Sequence, residues 1–171
     1  MKETLTADQA RELLTYDPDT GSFFWRVSRG GRPAGSRAGH LQEFPAKGSF
    51  YYTIRLKNRL YLAHRLAWLI MHGEFPSKHI DHANGDSLDN RLSNLREATR
   101  SQNMQNKRAS SHNKSGHKGV SWDGINRKWV ARIREPKGKY LNLGRYRAPE
   151  LAHAAYCEAA HRMFGEFARG S

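Results

Sequence analysis

The chain has 171 residues and a formal charge of +13, from 29 Lys and Arg against 16 Asp and Glu. Such an excess of cations points to a polyanion as partner, because neutralising phosphates releases their condensed counterions. The length allows one ordinary domain or two to three small ones. No apolar run approaches the ~18 residues of a membrane span. The single Cys157 excludes an intrachain disulfide and a multi-cysteine zinc site. Residues 1–14 lack the apolar core and cleavage site of a signal peptide, so a cytoplasmic protein with no membrane partner is expected.

The spacing of Thr6 and Gln9 predicts a capped helix over 5–14, with Leu5 stapled against Ala10. Asp17-Pro-Asp-Thr-Gly21 predicts a turn, followed by a strand over Phe23–Val27. Arg29 to Gly39 is rich in Gly and Arg and is expected to be a mobile basic loop. Phe50–Leu56 has strand composition, with Lys57-Asn58-Arg59 as a hairpin connection to Leu60–Ala63. Leu62, Leu66, Leu69 and Ile70 mark one side of a helix ending near Gly73.

Arg108 to Gly116 is small, polar and basic, the composition of a linker. Beyond it, short alternating strands are expected near Gly119–Trp122, Lys128–Arg134 and Tyr140–Leu143, then a helix from Pro149 to about Phe164. The expected division is therefore a β-rich region over 1–60, a module over 61–107, a linker over 108–116 and a second domain over 117–171.

The densest polar stretch runs from His79-Ile-Asp-His-Ala-Asn-Gly-Asp86 through Asp89-Asn-Arg-Leu-Ser-Asn-Leu95 to Ser101-Gln-Asn-Met-Gln-Asn106. It contains His82-x₁₁-Asn94-x₈-Asn103, with Asp81 just before the histidine. This resembles the HNH nucleases, specifically the phage-type homing endonucleases whose third motif residue is Asn. The resemblance spans roughly residues 60–107.

It implies a ββα-metal (His-Me finger) module, in which a hairpin carries the base and a helix carries the last metal ligand. His82 takes the place of the general base, since His has a pKa suited to proton transfer near neutrality. Asp81 and Asn103 take the places of metal ligands, and Asn94 that of the residue fixing the loop or the base. Both ligands offer oxygen, which favours one Mg²⁺ or Mn²⁺ over Zn²⁺. Cleavage leaving 5′-phosphate and 3′-hydroxyl ends, often as a nick, is implied as well. Thr99 and Gln102 have capping-box spacing for a helix beginning before Asn103. His64 and Arg65 occupy a place where the family often carries His-Arg, so phosphate contact and ordinary packing stand as alternatives for them. His79 lacks the family position and is read as structural, and His72 as a favourable charge at a helix C-terminus.

Residues 117–167 resemble the APETALA-two/ethylene-response-factor DNA-binding domain. The resemblance is carried by Gly119-Val-Ser-Trp122, Lys128-Trp-Val-Ala-Arg-Ile-Arg134, Leu143-Gly-Arg-Tyr146 and Ala154-Ala-Tyr-Cys-Glu-Ala-Ala160. It implies a three-stranded antiparallel sheet packed on one helix, completing an α+β chain. Alternation places Trp129, Ala131 and Ile133 on one face and Lys128, Val130, Arg132 and Arg134 on the other. Leu141 and Leu143 are expected to point inward, with Tyr140 and Asn142 beside the arginines. Arg132, Arg134, Tyr140 and Asn142 are the expected DNA contacts, with Lys118 and Ser121 as weaker ones. His153, Cys157 and His161 fall at i, i+4, i+8, but no fourth ligand is evident and Ala-rich packing accounts for the helix.

The expected function is a metal-dependent DNA endonuclease of the homing or nicking type, guided by its C-terminal domain, acting on double-stranded DNA in a bacterial or phage-infected cytoplasm. No obligate protein partner is evident. The alternative is a DNA-binding transcriptional regulator with an inactive nuclease fold. An RNA-directed protein is a third class, for which no module signature is present.

Overall fold

Thr6 accepts from the Gln9 amide, and the Gln9 side chain accepts from the Thr6 amide, so the expected capping box opens α1 (Ala7–Leu13). The structure, a computed structural model, describes residues 5–45, 48–107, 113–136 and 138–168. The first part of the expected linker, 108–112, lies outside the described residues. The chain falls into two compact units, Met1–Ala98 and Thr99–Ser171.

In the first unit α1 leads straight into β1 (Leu14–Asp17), which pairs antiparallel with β2 (Ser22–Trp25) across the expected turn. The strand β1 was not anticipated: its alternation spans only four residues. The basic loop after β2 folds back on that strand. Trp25 N donates to the Ser36 carbonyl (2.9 Å), Gly35 N to the Trp25 carbonyl (2.7 Å) and Ala38 N to the Phe23 carbonyl (2.7 Å). A second sheet of order β3-β4-β5 follows, from His40–Phe44, Ser49–Leu56 and Arg59–Leu62. Lys57 and Asn58 both take positive φ (45° and 62°), the geometry that lets a two-residue turn follow the strand twist.

α2 (Ala63–His72) buries Leu66, Leu69 and Ile70, as its periodicity predicts, with Ala67 beside them, while Leu62 stands half-buried at the N-cap, and the helix ends at Gly73. Arg11 of α1 donates from Nε to the Ile70 carbonyl (3.1 Å), one of the carbonyls a helix end leaves unmet. β6 (His79–His82) and β7 (Leu95–Ala98) close the unit as an antiparallel hairpin.

The expected boundary at residue 60 has no counterpart in this packing. One core joins Leu5, Leu14, Phe23, Trp25, Ile54 and Leu56 to Leu66, Leu69, Ile80 and Leu95. The physical reason is size: a two-stranded hairpin with one helix buries too little to stand alone, and each Leu or Ile buried adds about 1.5–3 kcal/mol.

The second unit begins with Thr99, which caps α3 (Arg100–Gln105) through the expected box with Gln102. Strands β8 (Val120–Asp123), β9 (Lys128–Arg134) and β10 (Tyr140–Tyr146) form an antiparallel sheet of order β10-β9-β8. Helix α4 (Pro149–Phe164) lies on it, burying Ala152, Tyr156, Ala159 and Ala160 with Ile133, Val120 and Ala131. Small side chains let helix and sheet approach closely. At Gly119, with φ +73°, a Cβ would sit 2.1 Å from the Tyr156 ring, so only glycine fits. Among the described residues no helix is long and apolar enough to cross a membrane.

Candidate active site and DNA-binding face

The β6–β7 register sets Asp81 opposite Arg96 and His82 opposite Leu95. Asp81 is buried, and its Oδ2 accepts from Arg96 Nε (3.0 Å) and Nη2 (2.9 Å). His82 is also buried, and its Nε2 lies 3.2 Å from Asn90 Oδ1. The amide oxygen only accepts, so Nε2 carries the proton and the basic lone pair belongs to Nδ1.

Asn94 does a different job. Its Oδ1 accepts from the Asn84 amide (2.9 Å), its Nδ2 donates to the Asp89 carbonyl (2.7 Å), and its own carbonyl accepts from Ala83 N (2.9 Å). It closes the loop between the two strands, while Asn90 orients the imidazole. Asp86 and Asp89 stitch the same loop, Asp89 accepting from Arg91 and from Asn84 Nδ2.

The N-terminal region braces this loop from below. Tyr16 donates its hydroxyl to the Asn90 carbonyl (2.7 Å), and Leu92 N donates to the Pro18 carbonyl (3.0 Å). Gly21, at φ +71°, approaches so closely that a Cβ would meet Arg91 N and the Asn90 carbonyl carbon at 2.5 Å. From another side, Ser87 Oγ donates to the Phe50 carbonyl (2.6 Å).

His64 of α2 stands against His82, with ring centroids 5.1 Å apart in a T-shaped arrangement, and Tyr51 lies 5.6 Å from His64 and 6.5 Å from His82. Burial, reinforced by the neighbouring His82 imidazole and the Arg65 guanidinium, pushes His64 down to about 3. Burial also lowers His82, opposed by the Asn90 bond and by Asp81, Asp86 and Asp89. Both imidazoles are therefore neutral near pH 7. Arg65 lies over the Phe75 ring, 5.7 Å from its centroid. His79 is exposed.

Asn103 lies half-buried on α3, in the second unit. Among the described residues no group of three or more His, Cys, Asp and Glu comes together as a metal cage. Asp81 nevertheless suits a hard cation, being a buried carboxylate on the β6–β7 hairpin. Mg²⁺ keeps several waters and is commonly held by one or two protein oxygens, so such a sparse donor set fits it.

In the second unit Arg132, Arg134, Tyr140, Asn142 and Ser121 are all exposed on the β8–β10 sheet. Asn142 is the register partner of Arg132, Tyr140 that of Arg134, and Arg134 lies 5.9 Å over the Tyr140 ring. Lys118 donates to the Gln105 carbonyl at the end of α3. Two expectations are corrected here. Val130, placed on the basic face, is buried at 2% exposure in a strand whose neighbours Ser121 and Arg145 flank it. Leu141 is 44% exposed although it keeps its place opposite buried Ile133, because β10 is an edge strand with a neighbour on one side only.

The spacing of the motif did not reveal Asn90, Arg96 or Tyr51. Arg96 becomes readable once the hairpin register is known. Asn90 stands in a polar run where nothing but its inward direction separates it from its neighbours, and Tyr51 reaches the site only through the fold.

Residues 61–105 match the HNH endonuclease family profile, and residues 115–166 match the AP2 domain. Protein 3.8 of Escherichia phage T7 is 31% identical over 107 residues, a span of 62% of this chain and 87% of that protein. HNH nucleases generally use a divalent metal ion, and both domains indicate binding to DNA. The hairpin geometry and the matches agree, and the chain belongs to the HNH endonuclease family, with an AP2 domain following the nuclease module.

Proposed function

We propose that this protein is a metal-dependent DNA endonuclease of the homing or nicking kind, in which residues 61–107 cut and residues 117–171 position the cut. The observation that carries it is the buried Asp81–His82 pair, with a neutral imidazole fixed by Asn90. A base of hydrolysis must be unprotonated at working pH and held in one orientation, and His82 meets both demands.

His82 Nδ1 takes a proton from a water, whose oxygen attacks phosphorus. The bond to the 3′ oxygen breaks, that oxygen leaves as a hydroxyl on taking a proton from solvent, and the phosphate remains on the 5′ end. Asn90 holds the imidazole through Nε2, and Asn94 keeps the loop closed. Asp81 and Asn103 would hold Mg²⁺ or Mn²⁺, which when bound stabilises the charge developing on the leaving oxygen and the phosphoryl oxygens. Arg96 holds the Asp81 carboxylate in place through Oδ2. His64 packs against the base and keeps its surroundings dry, while Arg65 is available to a phosphate near α2. On the AP2 sheet Arg132, Arg134, Tyr140 and Asn142 meet the duplex, where Arg suits guanine and Asn suits adenine, with Lys118 and Ser121 at its margin.

The test is incubation of end-labelled duplex DNA with the protein and Mg²⁺ or Mn²⁺, with and without chelator. Metal-dependent products bearing 5′-phosphate and 3′-hydroxyl ends are expected. Tight binding with no cleavage under any metal would make the protein a DNA-binding regulator with an inactive nuclease fold.

A further inference from the structure

Away from the nuclease hairpin, the first unit holds a pocket of about 170 Å³ lined by Trp25, Arg32, Arg37, Gly39, His40, Thr53, Ile54 and Arg55. Three of these are arginines and none is acidic. The pocket follows from the way the basic loop returns along β2. Phe24 bridges Arg37, the Trp25 amide and carbonyl are taken by Ser36 and Gly35, and Arg29 and Arg32 close a tight turn with reciprocal backbone bonds of 2.9 and 3.0 Å. The guanidinium of Arg32 lies over the Trp25 ring at 5.8 Å, and that of Arg37 over Tyr52 at 5.5 Å. Thr53 and His40 close the floor through a 3.1 Å bond between Oγ1 and Nε2.

Two features separate this pocket from an ordinary charged surface. Among the described residues Arg32, Arg37 and Arg55 have no carboxylate partner, so the positive charge gathered there is not neutralised within the protein. In addition, Trp25 is 3% exposed and its indole Nε1 is a buried donor with no acceptor. A buried N–H without a partner is costly, and one beside a cluster of arginines marks this corner of the fold as unusual. Planar guanidiniums set over aromatic rings and lining one pocket match a phosphate oxyanion in charge and geometry.

We propose that Trp25, Arg32, Arg37 and Arg55 form a phosphate-binding pocket that takes a backbone phosphate of duplex DNA. The choice of DNA as its source rests on the proposed nuclease function. The phosphate chemistry rests on the pocket alone. The N-terminal region is then both the scaffold beneath the catalytic loop and a third contact with the duplex, beside the nuclease module and the AP2 sheet.

The test uses the full-length protein and the R32Q/R37Q double variant, whose changed side chains are exposed and outside the nuclease machinery. Binding to a mixed-sequence duplex is measured across a salt series. The variant is expected to bind several-fold more weakly, with a log–log salt slope shallower by about 0.9 for the one phosphate released. In parallel, the Trp25 indole N–H resonance, identified by its loss in W25F, is followed on adding inorganic phosphate or duplex, against chloride at equal ionic strength. A shift with duplex in the wild type that the double variant loses supports the proposal. A shift with inorganic phosphate alone, with an unchanged salt slope, overturns the DNA assignment. No shift with either, and an unchanged slope, overturns the pocket altogether. Should the wild type never cleave DNA while the slope and resonance respond as expected, the pocket stands and the nuclease reading falls.

Discussion

In the proposed site His82 and His64 are the two buried imidazoles whose protonation burial holds down. Above pH 6.5 a histidine is neutral in folded and unfolded chains alike. Below it the unfolded chain binds a proton that buried His64 refuses until about pH 3, so stability falls as pH falls through that window. Melting temperature measured from pH 7 to 4 should therefore drop, and His64→Gln should flatten the curve. A steeper loss in the variant would contradict this. His82, lowered in the same direction, remains an effective base below pH 6.5. Asn90→Ala should cost about tenfold or more in turnover. Asn90→Asp keeps an acceptor but adds a negative charge, so the acidic limb of the pH–rate profile should move to higher pH. A profile unmoved in Asn90→Asp would show that the residue does not face the base. At this scale the grouping of Asp81, His82 and Asn94 on one hairpin was readable because their spacing is local. Asn90, Arg96 and Tyr51 were not, since they reach His82 or Asp81 through a cross-strand pairing, a loop closure and a separate sheet.

Among the elements, capped and periodic segments matched expectation: both Thr–Gln boxes form, and α2 and α4 run where the apolar spacing and the Pro149 start place them. The strands β1 and β3 are short and partly exposed, so alternation alone did not mark them. The bulge in β10 shows the same limit, since the register shift between Asn142 and Gly144 carries no sequence signal. Gly21 packs the first hairpin against the loop between β6 and β7. Gly21→Ala would place a methyl 2.5 Å from backbone atoms of Asn90 and Arg91 at a φ of +71°, so both melting temperature and turnover should fall. Retained turnover despite a lower melting temperature would show that the brace does not position Asn90. Thr99→Ala removes a cap and should cost about 1 kcal/mol in chemical denaturation.

The whole molecule places a nuclease hairpin and a DNA-binding sheet in separate compact units. Residues 1–60, read as a β-rich region of open role, share one core with the β6–β7 hairpin, a dependence invisible in composition. Substituting Arg132→Ala and Arg134→Ala should weaken duplex binding and shallow its salt dependence, while turnover at saturating protein is retained. Equal affinity in that variant would move the DNA contacts elsewhere. The central claim is that His82 activates water for phosphodiester hydrolysis, and single-turnover cleavage of supercoiled plasmid with Mg²⁺ or Mn²⁺ tests it most directly. His82→Ala should cut at least ~100-fold more slowly than the wild type, with unchanged DNA affinity and fold, and chelator should abolish cutting in both. Cleavage by His82→Ala at the wild-type rate would contradict the account.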